Sequence, residues 1–184
     1  MARTPSNMVN LGTIAPDFSL LDVISEEYKN LNDLKGKNGS VIMFICNHCP
    51  YVKHVNKTIV ELASKFKDSG INFIAISSND VVNYPEDSPE LMKLNAQENK
   101  FTFPYLYDKS QEVAKKYDAA CTPDFYLYDN ELQLVYRGQL DDSRPGNGIE
   151  CDGKDLEYAV KCLISNIQND KTQKPSIGCN IKWK

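Results

Sequence analysis

A continuous apolar run at residues 41–45 leads into Cys46-Asn47-His48-Cys49, and then into a segment whose apolar residues recur by threes and fours. The run is short and unbroken by polar residues, as a strand buried on both faces requires. Over residues 50–67, Val52, Val55, Ile59, Leu62, Ala63 and Phe66 share one face of an amphipathic helix that ends near Gly70. Residues 71–77 form a second apolar run, so the order is strand, helix, strand. The crossover is long enough for a parallel pair and is expected to be right-handed. This unit commits the chain to an α/β fold. It also sets two thiols where the first strand turns into the helix.

The flanking segments follow the same reading. Residues 1–14 are polar and expected to be loosely held. Ala15-Pro16-Asp17-Phe18-Ser19-Leu20 opens a short alternating strand ending near Asp22, and residues 26–34 give a second strand and a turn closed by Gly36 and Gly39. Residues 78–90 are a polar loop, with Ser88 as the expected cap and Pro89 at the first position of a helix reaching about residue 100. A short extended piece at 101–106, interrupted by Pro104, precedes a short helix at 110–117. Strands at 124–128 and 132–137 are joined by Asp129-Asn130 in a hairpin. An insertion rich in Gly, Asp and Pro covers 141–153, a last helix covers 154–167, and a tail covers 169–184. No repeat or linker divides the chain, which is expected to be one domain over residues 1–184 with its core at about 12–168.

With 184 residues, 41% of them apolar and 25% charged, a full hydrophobic core is attainable. The net charge of −4 argues against nucleic acid as a partner, because phosphate binding needs a basic face. No apolar run approaches the roughly 18 residues of a membrane span. The N-terminal segment lacks the apolar stretch of about 7–15 residues found in signal peptides. The expected location is therefore the cytoplasm, with no membrane partner. In that reducing compartment the six cysteines, at 46, 49, 121, 151, 162 and 179, point to catalysis or metal binding by a few of them rather than to a stapled scaffold.

Three motifs carry a family likeness: Ala15-Pro16-Asp17-Phe18, the Cys46-Asn47-His48-Cys49 turn, and Thr122-Pro123-Asp124-Phe125. In this order they resemble the thioredoxin fold, and within it the peroxiredoxin-like (AhpC/TSA, redoxin) branch shared with the membrane-linked thiol–disulfide oxidoreductases. The resemblance implies a central mixed sheet flanked by helices, an N-terminal β-hairpin extension, and a cis-proline, Pro123, beside the dithiol. It implies Cys46 as the exposed nucleophile and Cys49, one turn into the helix, as the resolving thiol. No cofactor is implied. The expected partners are protein or small-molecule disulfides and a cellular thiol reductant, with the oligomeric state left open.

Thiolate is the attacking species in disulfide exchange, and a position just before a helix N-terminus offers it unpaired N–H groups and the positive end of the dipole. His48 adds positive charge when protonated. Two departures from the family bear on proton handling: Ser40 stands where thioredoxins bury an acid, and Val52 where the membrane-linked enzymes have a glutamate. His48, His54 and Asp124 are the candidates to replace them, although His54 also reads as a solvent-facing helix residue. Ile45 replaces the tryptophan that precedes the dithiol in thioredoxin, so the docking surface is expected to differ.

The expected catalytic set is Cys46, Cys49, His48, Pro123 and Cys121. Cys121, two residues before Pro123, reads as a third redox thiol, a metal ligand or a small buried hydrophobe. Cys162 reads as core, and Cys151 lies in a polar loop without an evident partner. Cys179 resembles a C-terminal resolving cysteine on a tail that folds back, or belongs to a tail packed through Ile181 and Trp183. The expected function is disulfide exchange in cell redox homeostasis. One alternative is a thiol peroxidase. The family's peroxidatic site needs a threonine or serine three residues before the cysteine and a proline four further back; those places hold Met43 and Gly39 before Cys46, and Cys46 and Ile42 before Cys49. Arg137 is a candidate for that family's arginine. The other alternative is a metal-binding or redox-sensing module built on Cys46, Cys49 and Cys121 with His48 or His54, although no second Cys-x-x-Cys or His pair occurs at finger spacing.

Overall fold

The computed structural model describes residues 3–184. In chain order the elements are β1 (Arg3–Pro5), β2 (Ser19–Asp22), β3 (Glu27–Asn30), α1 (Leu31–Leu34), β4 (Gly39–Phe44), α2 (Pro50–Phe66), β5 (Ile71–Ser77), α3 (Pro89–Glu98), β6 (Tyr105–Tyr107), α4 (Glu112–Lys116), β7 (Cys121–Thr122), β8 (Asp124–Asp129), β9 (Leu134–Gly138), α5 (Lys154–Ile164) and β10 (Ile177–Asn180). Seven strands form one mixed sheet in the order β3-β2-β6-β5-β4-β8-β9. Within it β4 and β5 are parallel, as are β5 and β6, and the remaining pairs are antiparallel. The thioredoxin-like α/β architecture expected from the motifs is the observed one.

The unbroken apolar run forms β4 because both faces of that strand are covered. Val41, Met43 and Ile45 pack with Val52, Ile59, Leu156 and Val160 of α2 and α5. Ile42 and Phe44 point the other way, to Leu31, Val113, Ala114 and Tyr117. Each such side chain contributes roughly 1.5–3 kcal/mol by leaving water. α2 ends as its sequence suggests, in a 3₁₀ turn (Lys67–Ser69) closed by Gly70 with φ 71°, a left-handed conformation that glycine adopts without penalty. Ser88 caps α3 by accepting the Leu91 N–H, with Pro89 at the first position. β2 and β3 form the expected hairpin at the sheet edge.

The two ends of the chain correct the reading from sequence. Residues 3–5 are ordered as β1, which pairs antiparallel with β10, and β10 pairs antiparallel with β7, making a second, three-stranded sheet. The expectation for residues 1 and 2 lies outside the described residues. These strands of two to four residues are too short for a period-two pattern to register, and their order comes from pairing with one another. The loop at 78–90 is also not simply solvated. Ser78, Asn79, Asp80 and Asp87 are buried, and the backbone of Lys182 bonds to the Asp80 N–H and to Asn79 Oδ1, each at 2.8 Å.

Candidate active site

β4 ends at Phe44 and α2 starts at Pro50, so residues 46–49 form a bend between them. Two features keep this segment out of the helix. Pro50 occupies the first helical position, where its missing N–H is harmless. The Asp87 carboxylate accepts the N–H groups of Asn47 at 2.8 Å and His48 at 3.3 Å, and Asn47 Nδ2 donates to the Glu86 carbonyl at 2.8 Å. Cys49 is therefore the N-cap of α2 rather than a residue one turn inside it, and Cys46 lies three residues upstream. Neither is exposed: Cys46 retains 1% and Cys49 0% of its accessible surface. The expectation of a solvent-exposed Cys46 is corrected.

The turn before β8 closes over the two sulfurs. The Thr122–Pro123 peptide is cis. Thr122 Oγ1 lies 3.4 Å from Cys46 Sγ, and the Thr122 carbonyl oxygen lies 3.2 Å from Cys49 Sγ. β10 pairs on the outer edge of this turn with Cys179 opposite Thr122, and Cys179 Sγ comes to 2.8 Å from Cys49 Sγ. The third sulfur touching Cys49 is thus that of Cys179. Cys121 is fully buried, and its thiol faces the Pro123 carbonyl at 3.7 Å; burial pushes that thiol far up. Of the two residues expected to anchor the tail, Ile181 is buried, whereas Trp183 stays 42% exposed.

The environment divides the two thiols of the dithiol. Cys49 is held down to about 5 from its ordinary 9.0, above all by a hydrogen bond from Cys46, against the opposing effect of burial, and with further help from Cys179. The Val52 amide of the first helical turn adds to this without closing a capping hydrogen bond. No acidic residue lies in that turn to compete for the dipole. The Thr122 carbonyl works the other way, since it can only accept from a protonated Cys49. Cys46 is raised well above its ordinary value by the hydrogen bond it gives to Cys49, by burial and by the nearby Asp87 charge. These shifts favour the charged form of Cys49 over that of Cys46, chiefly through the hydrogen bond that Cys46 gives to Cys49.

His48 Nδ1 is 2.6 Å from Asp87 Oδ2, and this bond raises the imidazole pKa. Asn79 Nδ2 donates to the same carboxylate at 2.8 Å, and Tyr84 stacks on the His48 ring at 5.5 Å. Among the described residues, the three donor side chains close enough for one ion are Cys46, His48 and Asp87, whose ligand atoms lie within 4.8 Å of one another. Cys49 and Cys121 are outside that set, which corrects the ligand group read from sequence. The Asp87 oxygens are moreover already filled by protein donors. His54 is half-buried, with Nε2 3.0 Å from Ser143 Oγ, rather than solvent-facing. Asp124 forms its ion pair with Arg137 at 2.7 Å, and burial still pushes its carboxyl up to about 7. Arg137 is fully buried, donates from Nε and Nη2 to the Asn7 carbonyl and covers the Tyr126 ring at 3.6 Å. Cys162 is buried as expected, and Cys151 is half-buried near Ser143, Thr58 and Asp141.

Asp87 and Asn79 escaped sequence reasoning, and Thr122 entered it only as part of the motif around Pro123. Asp87 stands in Pro85-Glu86-Asp87-Ser88-Pro89, where acid, cap and prolines read together as a helix start. Its actual targets, Asn47 and His48, are 40 and 39 residues upstream.

The model of the AhpC/TSA family matches residues 11–137. No curated protein matches the chain. Among solved structures, the chain is similar to an uncharacterized conserved protein from Geobacillus kaustophilus, at 55% identity over 100% of this chain and 97% of that one, with a TM-score of 0.98. It is also similar to a hypothetical protein from Sinorhizobium meliloti, at 44% identity over 98% of each chain and a TM-score of 0.96. The thioredoxin domain of a thiol-disulfide oxidoreductase from Bacteroides vulgatus shares the fold at 21% identity, covering 85% of this chain and 99% of that one, with a TM-score of 0.67. Among the described residues, no helix is long and apolar enough to cross a membrane.

Proposed function

The chain belongs to the AhpC/TSA family of thioredoxin-fold oxidoreductases, and on that premise we propose that its Cys46/Cys49 dithiol exchanges with protein or small-molecule disulfides. Cys49 thiolate attacks a substrate sulfur, forms a mixed disulfide and releases the first substrate thiol. Cys46 then attacks Cys49 Sγ, the substrate's second sulfur leaves and takes up the Cys46 proton, and the protein is left with a Cys46–Cys49 disulfide. A cellular thiol reductant returns it to the dithiol, and the cytoplasm is the compartment that fits such a cycle. The observation that carries this reading is Thr122, which the cis-Pro123 turn sets against both sulfurs, at 3.4 and 3.2 Å. His48, paired with Asp87, stands in for the acid that the sequence lacks at Ser40 and Val52.

The peroxidase alternative is less well supported. Arg137, the candidate for orienting a peroxide, spends its donors on Asp124 and Asn7. The reading is tested by insulin reduction in the presence of a thiol reductant. Cys49→Ser should abolish turnover, and Cys46→Ser should trap a mixed disulfide on Cys49. Insulin reduced equally well by Cys49→Ser would sink the proposal. Peroxide consumption that depends on Cys49 would replace it with the peroxidase reading, and stoichiometric zinc with neither activity would replace it with a metal module.

A further inference from the structure

We infer that Cys179 is a third redox thiol of this site, which draws Cys49 out of the Cys46–Cys49 disulfide into a Cys49–Cys179 disulfide that fastens the C-terminal strand over the dithiol. This rests on the Cys46/Cys49 exchange proposed above and adds the step that follows it.

Cys179 is delivered to Cys49 by ordered backbone. β10 lies between β1 and β7, with Cys179 opposite Thr122 and Asn180 opposite Cys121. Beyond it the Ile181 N–H donates to the Ala120 carbonyl at 3.1 Å, and Lys182 is clamped by Asn79 and Asp80. The close approach depends on Gly178, because a Cβ there would stand 2.0 Å from the Thr122 carbonyl oxygen. The two sulfurs, 2.8 Å apart, need to close by about 0.8 Å to reach the ~2.05 Å of a disulfide.

The step balances internally. Cys179 Sγ attacks Cys49 Sγ, the Cys46–Cys49 bond breaks, and Cys46 leaves as the thiolate and takes up the proton that Cys179 gives up. One S–S bond breaks and one forms, so no outside oxidant or reductant enters. Cys46, raised by burial and by Asp87, is a good final holder of that proton. Cys179 is itself pushed up to about 12 by burial and by its bond to Cys49. The second of those contributions disappears once Cys49 is in a disulfide, which brings the Cys179 thiol down and favours its attack.

The full-length protein is oxidised with glutathione disulfide, its remaining thiols are alkylated, and the linked peptides are mapped by mass spectrometry. The wild type should carry mainly Cys49–Cys179 with Cys46 alkylated, and Cys179→Ser should retain Cys46–Cys49. Gly178→Ala keeps every cysteine but pushes β10 off Thr122, so its Cys49–Cys179 share should fall about tenfold, as a steric penalty near 1.4 kcal/mol would produce. Wild-type protein holding Cys46–Cys49 with Cys179 alkylated would overturn the inference, as would a Cys49–Cys179 share unmoved by Gly178→Ala. If Cys49 enters no disulfide in any of the three proteins and insulin is not reduced, the exchange reading fails along with it.

Discussion

Replacing Cys46 by alanine removes the S–H group that does most to hold Cys49 as a thiolate. Cys49 sits at about 5 against an ordinary 9.0, and the bond from Cys46 is the largest cause. A hydrogen bond to a charged group contributes about 1.5–3 kcal/mol, and one pKa unit corresponds to about 1.36 kcal/mol. Its loss should therefore raise Cys49 by about one to two units. The donors left behind, Cys179 and the Val52 amide, keep the thiol below the range of a free cysteine. The thiolate's ultraviolet absorbance, followed against pH, measures this without needing reagent to enter a closed site. Cys121 and Cys179 are pushed up and do not titrate in the acidic range, so the low-pH transition belongs to Cys49, and subtracting the Cys49→Ser titration isolates it. Cys46→Ser keeps a donor at the same place and should shift the midpoint less than Cys46→Ala does. A midpoint unmoved in Cys46→Ala, or a wild-type midpoint in the free-thiol range, would refute the account of how the site ionises Cys49.

A depressed thiol pKa stabilises the fold above its unfolded value, and that contribution is lost as pH falls through about 5. Between pH 9 and 5 the wild type should accordingly lose more stability on acidification than Cys49→Ser, as measured by denaturant titration at each pH. Asp87→Asn leaves the donors of Asn47, His48 and Asn79 without a carboxylate; the expected loss is about 3 kcal/mol, or roughly 6–12 °C in Tm by calorimetry, and a loss under about 1 kcal/mol would contradict it. Arg137→Ala leaves the Asp124 carboxyl buried without its cation and should cost about 3–5 kcal/mol at pH 8. Because burial favours the neutral acid, that loss should be smaller at pH 5, and an equal loss at both pH values would show that Asp124 does not titrate there.

The scaffold was legible because each of its elements is long enough to carry a period. Residues 41–45 and 71–77 stand as β4 and β5, and the apolar face from Val52 to Phe66 is that of α2. The motif around Pro123 also placed the cis turn correctly. The chemistry of the dithiol was less legible, because it turns on the hydrogen bond between the two thiols and on which of them caps the helix, and a Cys-x-x-Cys spacing is compatible with either cysteine at the cap. Only the Asp87 bonds to Asn47 and His48, with Pro50, fix that start. The position of Cys179 was illegible for a different reason. β1, β7 and β10 span two to four residues each, and such fragments acquire register only from one another.

The missing acid at Ser40 and Val52 suggested a site short of a proton acceptor, but the structure supplies its charges from another direction. Asp87 reaches the dithiol from the loop after β5 with its carboxylate already committed to His48. Its charge acts oppositely at two places: it raises Cys46 directly, and it raises His48, whose positive form is favoured again by a charge on Cys49. A single carboxylate thus adds to the hydrogen bond and burial that keep the proton on Cys46, and it supports a cation beside Cys49. Groups whose environments drive their pKa values apart are the ones that divide acid and base roles. By that criterion the proposed exchange would run with Cys49 as nucleophile and Cys46 as proton donor to the departing sulfur, the hydrogen bond between the two thiols being the largest source of their inequality and Asp87 a further one.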